Sequence, residues 1–159
     1  MSIRPNDWHS SAVIVKKPED GEFKFLVQDS RSLLSQWSSN PPQTKCIGGG
    51  AKPQDLDPRM TLAREMWEEI FLYPSLEASI HRLPIEFKRR HQMYFDLVWF
   101  HDLKGTIRDR HSMFIDGDSL LYNLRFIGME EVNRVVFSVH AEKIRLAHQY
   151  IIDNPELVR

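Results

Sequence analysis

The chain has 159 residues, of which 42% are hydrophobic and 27% charged, and its formal net charge is −1. A chain of this length buries on the order of 70% of its unfolded surface, so a packed core is within reach, and this balance excludes a disordered or broadly polycationic protein. No apolar run is long enough to span a bilayer, and the first residues, MSIRPNDWHS, lack the apolar centre of a signal peptide; a single cytoplasmic domain over residues 1–159 is expected.

In chain order, Ser11 to Lys17 and Phe23 to Asp29 are β-branched and aromatic runs separated by Pro18-Glu19-Asp20-Gly21, which predicts an antiparallel hairpin. Arg31 to Thr44, with its serines, Trp37 and Pro41-Pro42, predicts a long loop before a short strand at Lys45 to Ile47. Cys46 is the only cysteine, so no internal disulfide forms, and its apolar neighbours favour a buried core residue over a catalytic thiol. Gly48-Gly49-Gly50 allows a sharp turn and close approach of the backbone to a ligand. Asp57-Pro58 is a strong helix start, and Pro74 discourages continuation past about Leu72. Further strands are expected at Ile85 to Lys88 and Met93 to Phe100, the second nearly continuous in apolar residues and so central. Gly105 to Leu124 reads as irregular or as a short helix, Arg125 to Gly128 as a short strand, and Met129 to Val132 as a turn. From about Val139 to Asp153, Ile144, Ala147, Tyr150 and Ile151 recur at helical spacing, with Ser138 available as a cap.

The helix that follows Asp57 carries the chemistry. Wound at helical pitch, Arg64-Glu65-Met66-Trp67-Glu68-Glu69 puts Glu65, Glu68 and Glu69 in one sector, with Leu62, Ala63, Met66, Trp67, Ile70 and Phe71 on the other side. Gathered carboxylates destabilise a folded chain unless a cation offsets them, and oxygen-only ligands suit hard ions such as Mg²⁺ or Mn²⁺. Arg64 and Glu68 are spaced to pair. The plain alternative is a solvated charged helix; the glycine run and the Asp-Pro start weigh against it.

This stretch resembles the signature of the Nudix hydrolase family: a glycine, five residues, a glutamate, seven residues, then Arg-Glu-apolar-x-Glu-Glu-x-Gly-apolar. Gly50, Arg64, Glu65, Met66, Glu68, Glu69 and Leu72 match in register. Leu56 stands where the family has its first glutamate, Phe71 where it has a glycine, and Gly48 where a proline is usual. Phe71 is a poor substitute for a left-handed glycine, which predicts that the helix ends differently or slightly later. Asp55 or Asp57 could stand in for the missing glutamate.

The resemblance implies an α/β/α sandwich with a mixed β-sheet, a box loop-helix and a C-terminal helix. It also implies a Mg²⁺- or Mn²⁺-dependent hydrolase that cleaves a phosphoanhydride in a nucleoside diphosphate linked to another group. Glu68 and Glu69 are assigned to metal, Glu65 to metal or proton abstraction, and Arg64 to orienting the carboxylates. Metal ions held there would neutralise phosphate charge, orient the phosphates and lower the pKa of a water. Gly49, Gly50, Arg89 and Arg90 are substrate-binding candidates, the last two within the basic run Lys88-Arg89-Arg90-His91. Trp37 and Tyr94 are candidates for base stacking, and Glu86, Asp96, Asp116 and Asp118 for further ligands or bases. The expected partner is a nucleotide or nucleotide derivative, with capped RNA ends included among substrates of such proteins; no membrane partner is expected, and family members are often homodimers. Leu56 leaves open a second reading, a Nudix-like nucleotide-binding or regulatory domain with weakened catalysis.

Overall fold

The computed structural model describes residues 8–17, 21–34, 41–83, 92–136 and 138–158. The expected hairpin connection at Pro18 to Asp20, Trp37, the strand expected at Ile85 to Lys88, Glu86 and the whole Lys88 to His91 run, with Arg89 and Arg90, lie outside the described residues.

Strands β1 (Trp8–Lys16) and β2 (Lys24–Ser32) pair antiparallel at Val15 with Phe25 and Lys16 with Lys24. Further along, β2 is taken by β3 (Gln43–Lys45) and β1 by β4 (Ile47–Gly50), both antiparallel. The single short strand expected at Lys45 to Ile47 is therefore two strands broken at Cys46, and the glycine run is extended sheet rather than a sharp turn. Its closeness serves packing: a side chain at Gly48 would strike the Ser10 carbonyl on β1.

Helix α1 (Pro58–Ile70) follows, then β5 (Leu72–Pro74), β6 (Ile80–Arg82), β7 (Gln92–Trp99), a 3₁₀ turn at Phe100–Asp102, β8 (Leu103–Gly105), β9 (Phe114–Asp116) and β10 (Ser119–Gly128). Helices α2 (Met129–Val135) and α3 (Ser138–Asp153) complete the order before a short 3₁₀ turn. The main sheet runs β6-β7-β1-β2-β10-β9, with β3 against β2 and β4 against β1; β1 and β7 are parallel and the other pairs antiparallel. β5 and β8 form a separate two-stranded sheet.

The sheet is covered on both faces, which explains why β1 and β7 read as continuous apolar runs rather than alternating ones. Val13, Val15, Phe25, Val27, Phe95, Leu97 and Ile127 pack with Val132 of α2 and Ala141, Ile144, Ala147 and Ile151 of α3. Ala12, Ile14, Leu26, Ile47 and Val98 pack with Leu62, Met66 and Ile70 of α1. This is the expected α/β/α sandwich. Cys46 is buried, and burial pushes its thiol up to about 12, as befits a structural residue.

Three expectations are corrected. Gly105 to Leu124 contains β9 and the start of β10, because its short apolar groups pair along the sheet edge instead of forming a helix face. Met129 to Val132 opens α2, whose Val132 is anchored in the core. On α1 only Leu62, Met66 and Ile70 of the apolar side are buried, while Trp67 is 53% exposed and stacks edge-on against Tyr73.

The end of α1 also differs from expectation. Phe71 does take the left-handed conformation, with φ 63° and ψ 25°, and its N–H donates to the Trp67 carbonyl at 3.2 Å. The chain must reverse between buried Ile70 and buried Leu72, and that packing outweighs a left-handed cost of about 1 kcal/mol. At the other end, Asp57 caps the helix as expected, its Oδ1 accepting from the Met60 N–H at 2.8 Å. Asp57→Ala is expected to lower stability by about 1 kcal/mol in urea denaturation, through loss of this cap.

Candidate metal centre

α1 lies across the glycine strand β4, and its acidic face turns toward that strand rather than toward water. Glu65 and Glu69, one turn apart, are both buried, Glu69 to 1% exposure. Room for them exists because Gly49 has no side chain: a Cβ there would fall 2.5 Å from Glu65 Oε1. Glu69 Oε2 accepts from the Gly48 N–H at 3.2 Å and from Gln28 Nε2 at 3.0 Å.

Arg64 ties this face to the preceding loop. Its Nη1 donates to Glu65 Oε1 and to Glu68 Oε2, both at 3.1 Å, and its Nη2 donates to the Gly50 carbonyl at 3.0 Å. Nε and Nη2 grip Asp55, the latter at 2.9 Å. Asp55 is 0% exposed and also accepts from Thr61 Oγ1 at 2.8 Å and from the Lys52 N–H at 2.9 Å. The Arg64 hydrogen bond is the main influence that draws the Asp55 carboxyl down to about 2, against the opposing effect of burial. Leu56, one residue on, is 84% exposed. Of the two carboxylates flanking Leu56, Asp55 is the one that grips Arg64, whereas Asp57 is the helix cap.

The carboxylates that converge are not those the helical wheel alone selects. Among the described residues, Glu65, Glu69 and Asp116 each offer a ligand oxygen within 4.8 Å of the others. Glu68 stays at the rim, paired with Arg64 and, at 3.5 Å, with Lys52. Asp116 comes from β9 on the sheet edge. Burial, followed by the neighbouring Glu65, pushes the Glu69 carboxyl up to about 8, and burial likewise raises Glu65 despite the opposing Arg64. Among the described residues, Glu65 Oε2 is buried with no hydrogen-bond partner. An orphaned oxygen amid crowded carboxylates, in an all-oxygen donor set, fits a hard divalent cation.

Of the other sequence candidates, Gly49 and Gly50 lie against this face, Gly49 by its missing side chain and Gly50 through its carbonyl. Asp96 is buried under Arg82 at 2.6 Å, and Tyr94 lies beneath that same guanidinium, so neither joins the group. Asp118 is exposed in the turn between β9 and β10. Nothing in the sequence set Asp116 above Glu86, Asp96 and Asp118. Gln28 is marked in the sequence only as a polar residue directly following the buried Phe25-Leu26-Val27 run.

Comparison with known proteins gives the family and the fold. A family model described as NUDIX domain matches residues 7–149, and the chain belongs to that family. The fold is similar to a mutT/nudix family protein from Listeria innocua, with TM-score 0.63 and 14% identity over 98% of this chain and 100% of that one. It is also similar to a C. elegans Ap4A hydrolase binary complex, with TM-score 0.62 and 14% identity over 93% and 98%. The NUDIX domain of Shewanella oneidensis NrtR complexed with ADP ribose aligns with TM-score 0.59 and 14% identity over 94% and 90%. No curated protein matches.

Two outcomes follow from the charge arrangement. Asp55→Asn is expected to cost about 2 kcal/mol of stability in chemical denaturation, because it removes the charged acceptor shared by Arg64, Thr61 and the Lys52 N–H while Arg64 keeps Glu65 and Glu68. Glu69 holds its proton more tightly folded, near 8, than at the ordinary value of 4.5, so this group's contribution to stability is full below the ordinary value and is lost as pH rises through about 8. In a chelator the unfolding midpoint should therefore fall across that window, and Glu69→Gln should flatten the decline.

Proposed function

We propose that this protein is a divalent-metal-dependent hydrolase of a phosphoanhydride in a nucleoside diphosphate linked to another group, working as one Nudix unit over residues 1–159. The observation that carries the reading is the cluster of Glu65, Glu69 and Asp116 with its unpartnered buried oxygen. Mg²⁺ or Mn²⁺ would be held by Glu65 and Glu69, with Asp116 opposite and Glu68 completing the set from the rim. When bound, such an ion supplies Lewis acidity toward the phosphate oxygens and toward the attacking water.

The chain's own residues do the positioning. Arg64 orients Glu65 and Glu68 while its own direction is fixed by Asp55, and the Gly48 N–H with Gln28 holds Glu69. Glu65, whose Oε2 lacks a donor, is also suited to take a proton from the attacking water. Gly49 gives Glu65 its place and Gly50 helps to hold Arg64, and Arg89 and Arg90 are proposed to supply positive charge to a polyphosphate. The Ap4A and ADP ribose named for the similar structures make those two compounds the first members of a substrate panel, with nucleoside triphosphates and sugar nucleotides beside them.

The test is release of phosphate products from that panel with Mg²⁺ or Mn²⁺. Glu69→Gln is expected to reduce turnover by more than about 100-fold, since loss of a ligand exceeds the effect of losing its outer support; unchanged turnover would reject the assignment. Leu56→Glu is expected to leave turnover within about twofold, because Asp55 already occupies the position beside Arg64. Nucleotide binding without product release across the panel would instead favour a regulatory domain.

A further inference from the structure

Arg108 lies in the segment that joins β8 to β9, buried from water, yet among the described residues its guanidinium meets no carboxylate directly. Nε donates to the Glu69 carbonyl at 2.7 Å, Nη1 to the Ser112 carbonyl at 2.9 Å, and Nη2 to Gln28 Oε1 at 3.1 Å. The Arg108 N–H donates in addition to the Ile70 carbonyl at 3.0 Å. Each of these acceptors is neutral. A buried cation with only neutral partners is costly unless its field serves a nearby anion.

That anion is reached through one side chain. Gln28 is fully buried on β2 and presents Oε1 to Arg108 and Nε2 to Glu69 Oε2 at 3.0 Å. An amide has one accepting end and one donating end, so between a cation and a carboxylate only this orientation satisfies both. The hydrogen bonds align from guanidinium to amide to carboxylate, and each polarises the next. Glu69 Oε2 is thereby engaged by Gln28 and by the Gly48 N–H, which leaves Oε1 as the oxygen offered to an ion.

The same residue holds the segment leading to Asp116. Ser112, which receives Nη1, closes a turn with its hydroxyl and N–H on the Asp109 carbonyl, at 2.7 Å and 3.1 Å. Arg108 therefore fastens a closed turn, directly preceding β9, to the last residues of α1.

We propose that Arg108 is a positioning residue for the metal centre: through the Gln28 amide it selects the oxygen of Glu69 that faces the ion, and through the α1 carbonyls it sets the place of Asp116. The inference rests on the reading of Glu65, Glu69 and Asp116 as ion ligands. It is tested by Mn²⁺ titration of wild type, Arg108→Met, Gln28→Met and the double variant, with free Mn²⁺ read by electron paramagnetic resonance and folding checked by thermal unfolding. Each single change is expected to weaken Mn²⁺ binding by about tenfold, and the double variant no further than the weaker single. Wild-type Mn²⁺ affinity in folded Gln28→Met, or effects that multiply in the double variant, overturns the relay. Should Arg108→Met fail to fold, the Gln28→Met titration decides alone, since a merely structural amide would alter unfolding without altering affinity. Absence of Mn²⁺ binding by the wild type would instead overturn the ligand reading beneath the proposal.

Discussion

Two carboxylates one helical turn apart have been taken out of water, and most of the surrounding structure can be understood as accommodating that. Glu65 fits because β4 carries Gly49 where it approaches, and a side chain there would displace it. The charge is then partly offset from two directions. Arg64 reaches across from the solvent side, Gln28 from β2, and Arg108, through Gln28, from the segment between β8 and β9. What is left uncompensated among the described residues is Glu65 Oε2 and a Glu69 carboxyl that burial pushes up, an arrangement that fits a cation.

The Asp55–Arg64 pair shows how a short motif tolerates substitution without losing its physics. A helix can be approached by its preceding loop from more than one residue, so a carboxylate displaced by one position still reaches the same guanidinium when the loop is shaped to deliver it. Here Lys52 and Thr61 provide that shape by donating to Asp55. Leu56, between Asp55 and Asp57, is exposed to solvent. Matching letters at fixed positions understates what the chain retains.

Much of the architecture was legible because it follows from local periodicity. The strands around Val13 and Leu26, the Asp57-capped helix and the C-terminal helix all carry their own burial pattern, and the structure repeats it. The elements that were misread are short: β9 and α2 have too few residues to display a period, and their form is dictated by a neighbouring edge or core. The same limit governed the site. Glu65 and Glu69 were visible on a helical wheel, but a wheel cannot tell the buried edge of an acidic face from its rim, where Glu68 pairs with Arg64 and Lys52. Asp116 depends on strand pairing and Arg108 on a loop without pattern, and neither leaves a local signature.

Asp116 is separated in sequence from the helix whose carboxylates it joins by the whole middle of the chain, and β9 pairs with β10, which in turn pairs with β2. Such long-range pairings close late, after loop entropy has been overcome. A chain emerging from the ribosome therefore displays its acidic helix well before the third carboxylate arrives, and the three acidic groups come together only in the finished fold.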